Sequence, residues 1–133
     1  MIAAGPTFTS TEFLTQQVIE FAKPIAWHSA CHLNDILPFT GVAALVEGLQ
    51  VAVFRVDLDG KVETFALSNY DPFSHAYVLA RGLVGDKKGV LKVASPIYKQ
   101  NFNLRTGQCL DDESVCLATW PTRIVDGLVQ IGM

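Results

Sequence analysis

Charge is scarce in this 133-residue chain: Asp, Glu, Lys and Arg together make up 17% of it, against roughly a quarter in an average soluble domain. Positive charge is the scarcer sign. The 10 Lys and Arg against 13 Asp and Glu leave a net charge of −3, and Lys87-Lys88 is the only adjacent basic pair. Nucleic-acid phosphates call for a basic face, so that class of partner is excluded. Long apolar runs are missing too. Stretches free of charge end at 11 residues, as in Pro24 to Asn34 and Ile36 to Val46, whereas a membrane-spanning helix needs about 20 apolar residues. No basic side chain precedes Lys23, so the charged start of a signal peptide is absent. Cysteine is sparse and odd in number, with Cys31, Cys109 and Cys116 alone. That count argues against a disulfide framework and for a reducing cytoplasm. A P-loop, a G-x-G-x-x-G turn and an H-E-x-x-H helix are all absent.

What is abundant is apolar material, at 50% of residues. That suffices for the core of one domain. With few charges to cover it, part of the surface is expected to stay neutral and to meet a partner. Residues 1–24 read as a helical extension. Thr9 and Glu12 have the spacing of a capping box, Leu14, Val18 and Phe21 form one apolar stripe, and Pro24 ends the run. Residues 25–133 read as an all-β domain of antiparallel sheets. Val42–Val46 and Val51–Val56 flank Glu47-Gly48-Leu49-Gln50, and Asp57-Leu58-Asp59-Gly60 leads into Val62–Leu67. Trp120–Val125, Asp126-Gly127 and Leu128–Ile131 spell strand, type I′ turn and strand. Lys92–Ala94 and Phe102–Leu104 are short strands, and Arg105-Thr106-Gly107 is a tight turn. Ser68 to Gly89 shows no sustained alternation.

Few groups suggest chemistry by residue type. His28, Cys31 and His32 have a ligand-like spacing, but on a regular strand the two histidines face one side and Cys31 the other. Cys109 and Cys116 read as buried thiols acting as small hydrophobes. Asp111-Asp112-Glu113 reads as a solvated acidic loop. Ser74 and His75 are adjacent, which is not the geometry of a nucleophile and its base. Residue chemistry alone therefore predicts no catalytic residue on this chain.

Two segments carry more information. Asn69-Tyr70-Asp71-Pro72-Phe73, and the run from Ala94-Ser95-Pro96-Ile97-Tyr98-Lys99-Gln100 through Phe102-Asn103 to Thr106-Gly107-Gln108-Cys109, resemble the two cluster loops of Rieske iron–sulfur domains. In that family the loops carry C-x-H and C-x-x-H. Here the corresponding positions hold Asp71 and Phe73, then Ser95 and Tyr98. Together with His32 to Pro38, Thr40 to Val46, Val78 to Gly85 and Leu110 to Glu113, these segments resemble the clusterless small-subunit family of assimilatory NAD(P)H-dependent nitrite reductases, over about Ile25 to Ile131.

The resemblance implies a Rieske-like fold and a subunit of an enzyme that reduces nitrite to ammonium with NADH or NADPH. It implies no cofactor on this chain, with FAD, siroheme and a [4Fe-4S] cluster on the large subunit. It also implies a tip, formed by the two loops, where Pro72, His75, Pro96, Tyr98, Lys99 and Gln100 would contact that partner while Phe73 fills the cluster's space. Lys99 and Gln100 are expected to be exposed. The alternatives are an electron carrier with an atypical centre and a non-catalytic binding or regulatory module on the same fold.

Overall fold

The computed structural model describes residues 26–133; the expected helix within residues 1–24 lies outside them. Twelve strands and two single-turn 3-10 helices make up the described chain. The central sheet takes its strands in the order β10 (Thr119–Trp120), β4 (Lys61–Ser68), β3 (Leu49–Leu58) and β2 (Thr40–Val46). On one side lies a sheet of β1 (Trp27–His32), β12 (Leu128–Gly132) and β11 (Thr122–Val125). A third sheet comprises β7 (Leu83–Lys87), β8 (Val90–Ala94) and β9 (Asn101–Asn103), and β5 (Tyr70–Asp71) pairs with β6 (Ala76–Tyr77) as a small hairpin.

β3 explains why this arrangement closes. Val51, Ala52, Val53 and Phe54 are all fully buried, so the strand is covered on both faces and alternation divides it between two cores. Val51 and Val53 pack with Ile36, Ala66, Val129 and Ile131. Ala52, Phe54 and Val56 pack with Leu79, Val93, Phe102 and Leu104. The Arg55 guanidinium grips Asp57 with two bonds of 2.9 and 3.0 Å. It also donates to the carbonyls of Leu33 and Ile36 at 3.3 and 3.1 Å, tying the first 3-10 turn (Leu33–Asp35) to the sheet.

Four hairpins share one device. Glu47-Gly48, Asp59-Gly60, Lys88-Gly89 and Asp126-Gly127 are each a two-residue loop with positive φ at both positions. That is the type I′ turn, whose twist matches that of the strands it joins. Glu47 to Gln50, read from sequence as a four-residue connection, is therefore a two-residue turn, since Val46 pairs with Leu49. Ser68 to Gly89, read as showing no sustained alternation, holds the short strands β5 and β6 and then β7, whose hairpin turns on Lys88-Gly89. Trp120 to Val125 is not one strand. Pro121 divides it, leaving Trp120 in the central sheet opposite Ala66 and Thr122–Val125 in the outer sheet.

Candidate functional site

The two loops singled out in the sequence stand side by side and are built alike. Each begins with a buried polar residue followed by proline, Asp71-Pro72 and Ser95-Pro96. Each closes on itself four residues later. The His75 N–H donates to the Asp71 carbonyl at 2.8 Å, and the Lys99 N–H donates to the Ser95 carbonyl at 3.1 Å. His75 and Lys99 occupy the same place in their loops, and both take the left-handed conformation, with φ of 57° and 63°. For a residue with a Cβ this costs roughly 1–2 kcal/mol, and such strain collects at functional positions.

The loops are joined by a hydrogen bond between their first residues. Asp71 is 0% exposed and Ser95 is 1% exposed. Asp71 Oδ2 accepts from the Ser95 hydroxyl and, at 2.8 Å, from the Ser74 hydroxyl; Oδ1 accepts from the Phe73 N–H at 2.9 Å. Burial pushes this carboxyl upward, but the donors from Ser95, Phe73 and Ser74 outweigh it and hold it below the usual carboxylate range. The other two positions diverge. Phe73 is half-buried and packs against the core cluster of Phe54 and Phe102, its ring 6.1 Å from that of Phe102. Tyr98 points outward and is 62% exposed.

The surrounding shell holds the loops in place. Asn69, buried at the base of the first loop, accepts from the Ala80 N–H at 2.7 Å and donates to Gln50 at 3.2 Å. Asp111 does the same for the second loop, accepting from the backbone and side chain of Asn101 at 2.7 and 3.1 Å. The backbone donor of Asn101 is the main reason its carboxyl is lowered. The acidic loop is thus a structural clasp as well as a solvated surface. Asn69 was missed in the sequence because an asparagine before Tyr-Asp-Pro gives no sign of which backbone groups it will satisfy.

Other expectations resolve differently. Ser74 donates to Asp71, whereas His75 Nδ1 pairs with the Tyr70 hydroxyl at 2.9 Å. The two neighbours therefore serve separate partners. Pro72 is half-buried; His75, Pro96, Tyr98 and Lys99 are exposed. Gln100, expected to be exposed, is half-buried, and its side-chain oxygen is sealed from solvent. A bulge in β1 overturns the expected facing of His28, Cys31 and His32. His28 pairs with Ile131 and Cys31 with Val129, so these two share the inward face while His32 points outward. His28 Nδ1 lies 3.1 Å from Glu47. Among the described residues no group of three or more His, Cys, Asp or Glu side chains is arranged to hold a metal. Cys109 is buried as expected, bridged to buried Phe102, but Cys116 is exposed, bridged only to half-buried Gln108.

Similarity to known proteins is extensive over this domain. The Rieske-like [2Fe-2S] domain family matches residues 26–132. The nitrite reductase (NADH) small subunit of Salmonella typhimurium is 48% identical over 105 residues, which are 79% of this chain and 95% of that protein. The solution structure of the nitrite reductase [NAD(P)H] small subunit from Erwinia carotovora superposes with a TM-score of 0.68 at 47% identity, covering 80% of this chain and 81% of that one. A nitrite reductase [NAD(P)H] large subunit from Klebsiella oxytoca contains a segment 37% identical over 106 residues, 80% of this chain and 11% of that protein.

Proposed function

The chain belongs to the Rieske-like [2Fe-2S] domain family and, within it, to the nitrite reductase small subunits; from that premise we propose that it serves the enzyme as a cofactor-free subunit docked on the large subunit. A Rieske centre takes two thiolates and two imidazoles. The donor set at the tip does not fit it. Asp71 spends its carboxylate on Ser95, Ser74 and Phe73, Phe73 has no donor atom, and Tyr98 faces solvent. The observation that carries the reading is the Asp71–Ser95 hydrogen bond. It joins the loops directly at the two positions where the family's cluster would cross-link them. No electron-transfer step is assigned to this chain.

Its role is then contact. The exposed tip residues His75, Pro96, Tyr98 and Lys99, with half-buried Pro72 and Gln100 behind them, present a rigid surface to the large subunit. FAD, siroheme and a [4Fe-4S] cluster, which reduction of nitrite by NADH or NADPH requires, would reside there in the cytoplasm. The occurrence of a related segment within a Klebsiella large subunit supports a stable union of the two parts. The test is affinity purification of this chain from nitrite-grown cells, recording the visible spectrum and the iron content of each component. The expected outcome is co-elution of a large coloured partner and, after separation, a colourless, iron-free small chain. Iron bound to the separated chain would favour the electron-carrier alternative, and elution of the chain alone would favour an unrelated binding module.

A further inference from the structure

Seven non-glycine residues among those described have positive φ. Four of them open the type I′ hairpins, and His75 and Lys99 close the tip loops. The seventh is Phe39, at φ 62°. The Thr40 N–H donates to the Leu37 carbonyl at 3.1 Å, and the Thr40 hydroxyl donates to the same oxygen at 2.6 Å. Proline holds φ near −65° at Pro38. Leu37-Pro38-Phe39-Thr40 is therefore a type II turn with phenylalanine in the place that calls for glycine. A Cβ there costs backbone energy that glycine avoids. Burial offsets little of that cost, because Phe39 is 42% exposed and Leu37 70%.

The Phe39 ring is one wall of an open pocket of about 390 Å³. Leu58, Leu91, Gly85 and Gly89 give it an apolar lining, and Asp86 and Arg105 add one charge of each sign. A cavity of about 150 Å³ already takes benzene, so there is room here for a second phenyl ring. The pocket lies at the end of the domain away from the tip. β4 and β8 lead into the two tip loops after Ser68 and Ala94. Leu58 and Gly89 stand instead at the hairpin turns where those strands begin.

An exposed ring and a pocket that fits it, on one surface, make that surface complementary to itself. Two copies related by a two-fold axis satisfy it, each placing Phe39 in the pocket of the other. The same axis can set Asp86 of one copy against Arg105 of the other, so that charges attract across the contact. Both groups are held in place. Asp86 accepts from the Gly89 N–H at 3.0 Å, and Arg105 grips Glu63 with bonds of 2.9 and 3.0 Å.

We propose that this chain pairs with a second copy of itself through the Phe39 pocket. The contact goes beyond the docking assigned to the tip and does not depend on it, since the two ends can be engaged at once. Desolvation of each Phe39 ring in the pair offsets the strain of its turn.

The test is analytical ultracentrifugation of the full chain over a wide concentration range. Expected is a mass that rises with concentration from 14.5 kDa toward twice that value. Phe39→Gly suits the turn and removes the ring. It should melt no lower than wild type at high dilution, yet raise the dimer dissociation constant about tenfold or more. Gly85→Leu fills the pocket from a position where an added Cβ would meet only Lys92 Cε, at 3.9 Å, and should weaken the dimer as much. Far-ultraviolet circular dichroism checks that both variants stay folded. Monomer at every concentration would overturn the proposal, as would a dimer that both variants leave unchanged. Wild type that stays monomeric while Phe39→Gly weakens co-purification with the large subunit would assign the pocket to that partner and exclude self-pairing.

Discussion

Asp71 combines two properties that rarely coexist, complete burial and ionisation, and the reason is its three donors. Removing the carboxylate leaves the buried Ser95 hydroxyl, and the half-buried Ser74 hydroxyl and Phe73 N–H, without their acceptor. Asp71→Ala is expected to lower stability by about 1–3 kcal/mol, the usual cost of a buried polar group left without its partner. The pH dependence follows from the direction of the shift. The folded-state carboxyl is held below its ordinary value, so the unfolded chain binds the proton more readily. Its stabilisation is therefore complete above the ordinary carboxylate range and is lost as pH falls through the lowered folded-state value. Thermal melts of wild type and Asp71→Asn between pH 7 and pH 3 should show their difference shrinking toward the acid end. A difference that stays constant with pH would mean that the charge contributes nothing. The resemblance to Rieske cluster loops pointed to Asp71, Phe73, Ser95 and Tyr98 as the corresponding positions. It did not show that Asp71 and Ser95 would bond to each other, since they are 24 residues apart and only the packing of two loops brings them together.

At the scale of elements, the two tip loops repeat one design, each placing a non-glycine residue in the left-handed conformation after a four-residue turn. Replacing His75 and Lys99 by glycine relieves that backbone cost. The double variant is expected to keep its melting temperature or gain a few degrees while binding the large subunit more weakly, measurable by calorimetry and by co-purification. Unchanged binding would remove these side chains from the contact surface. The hairpins show how far local chemistry reaches. Asp126-Gly127 was legible as a type I′ turn, whereas Lys88-Gly89 adopts the same turn with a residue that carries little turn preference. β7 lies in the stretch without sustained alternation for a related reason. Leu83, Val84, Gly85, Asp86 and Lys87 do not alternate cleanly, because the strand is an edge whose Leu83 is 76% exposed. The bulge in β1 shows the opposite failure. Strict alternation, applied to His28, Cys31 and His32, gives the wrong facing once Ala30 is inserted into the register.

Across the whole molecule, β3 carries the architecture. It is buried on both faces and supplies side chains to both cores. Phe54, 0% exposed and among the largest side chains of its cluster, also closes against Gly41, where an added Cβ would lie 2.6 Å from its ring. Phe54→Ala should destabilise the domain by about 3–5 kcal/mol, read from urea unfolding. A cost near that of a surface substitution would contradict the two-core arrangement. What the sequence determined by itself was the all-β class and most hairpins, and its resemblance to Rieske cluster loops singled out the two Pro-containing loops. Those features depend on residues close in the chain, where turn chemistry, alternation and spacing act directly. The tertiary structure alone decided which loops meet and which cysteine is buried. It likewise placed Asn69 and Asp111 as clasps. These outcomes rest on contacts between distant segments, and they are fixed only when two sheets close over β3 and each buried polar group must find the one partner left within reach.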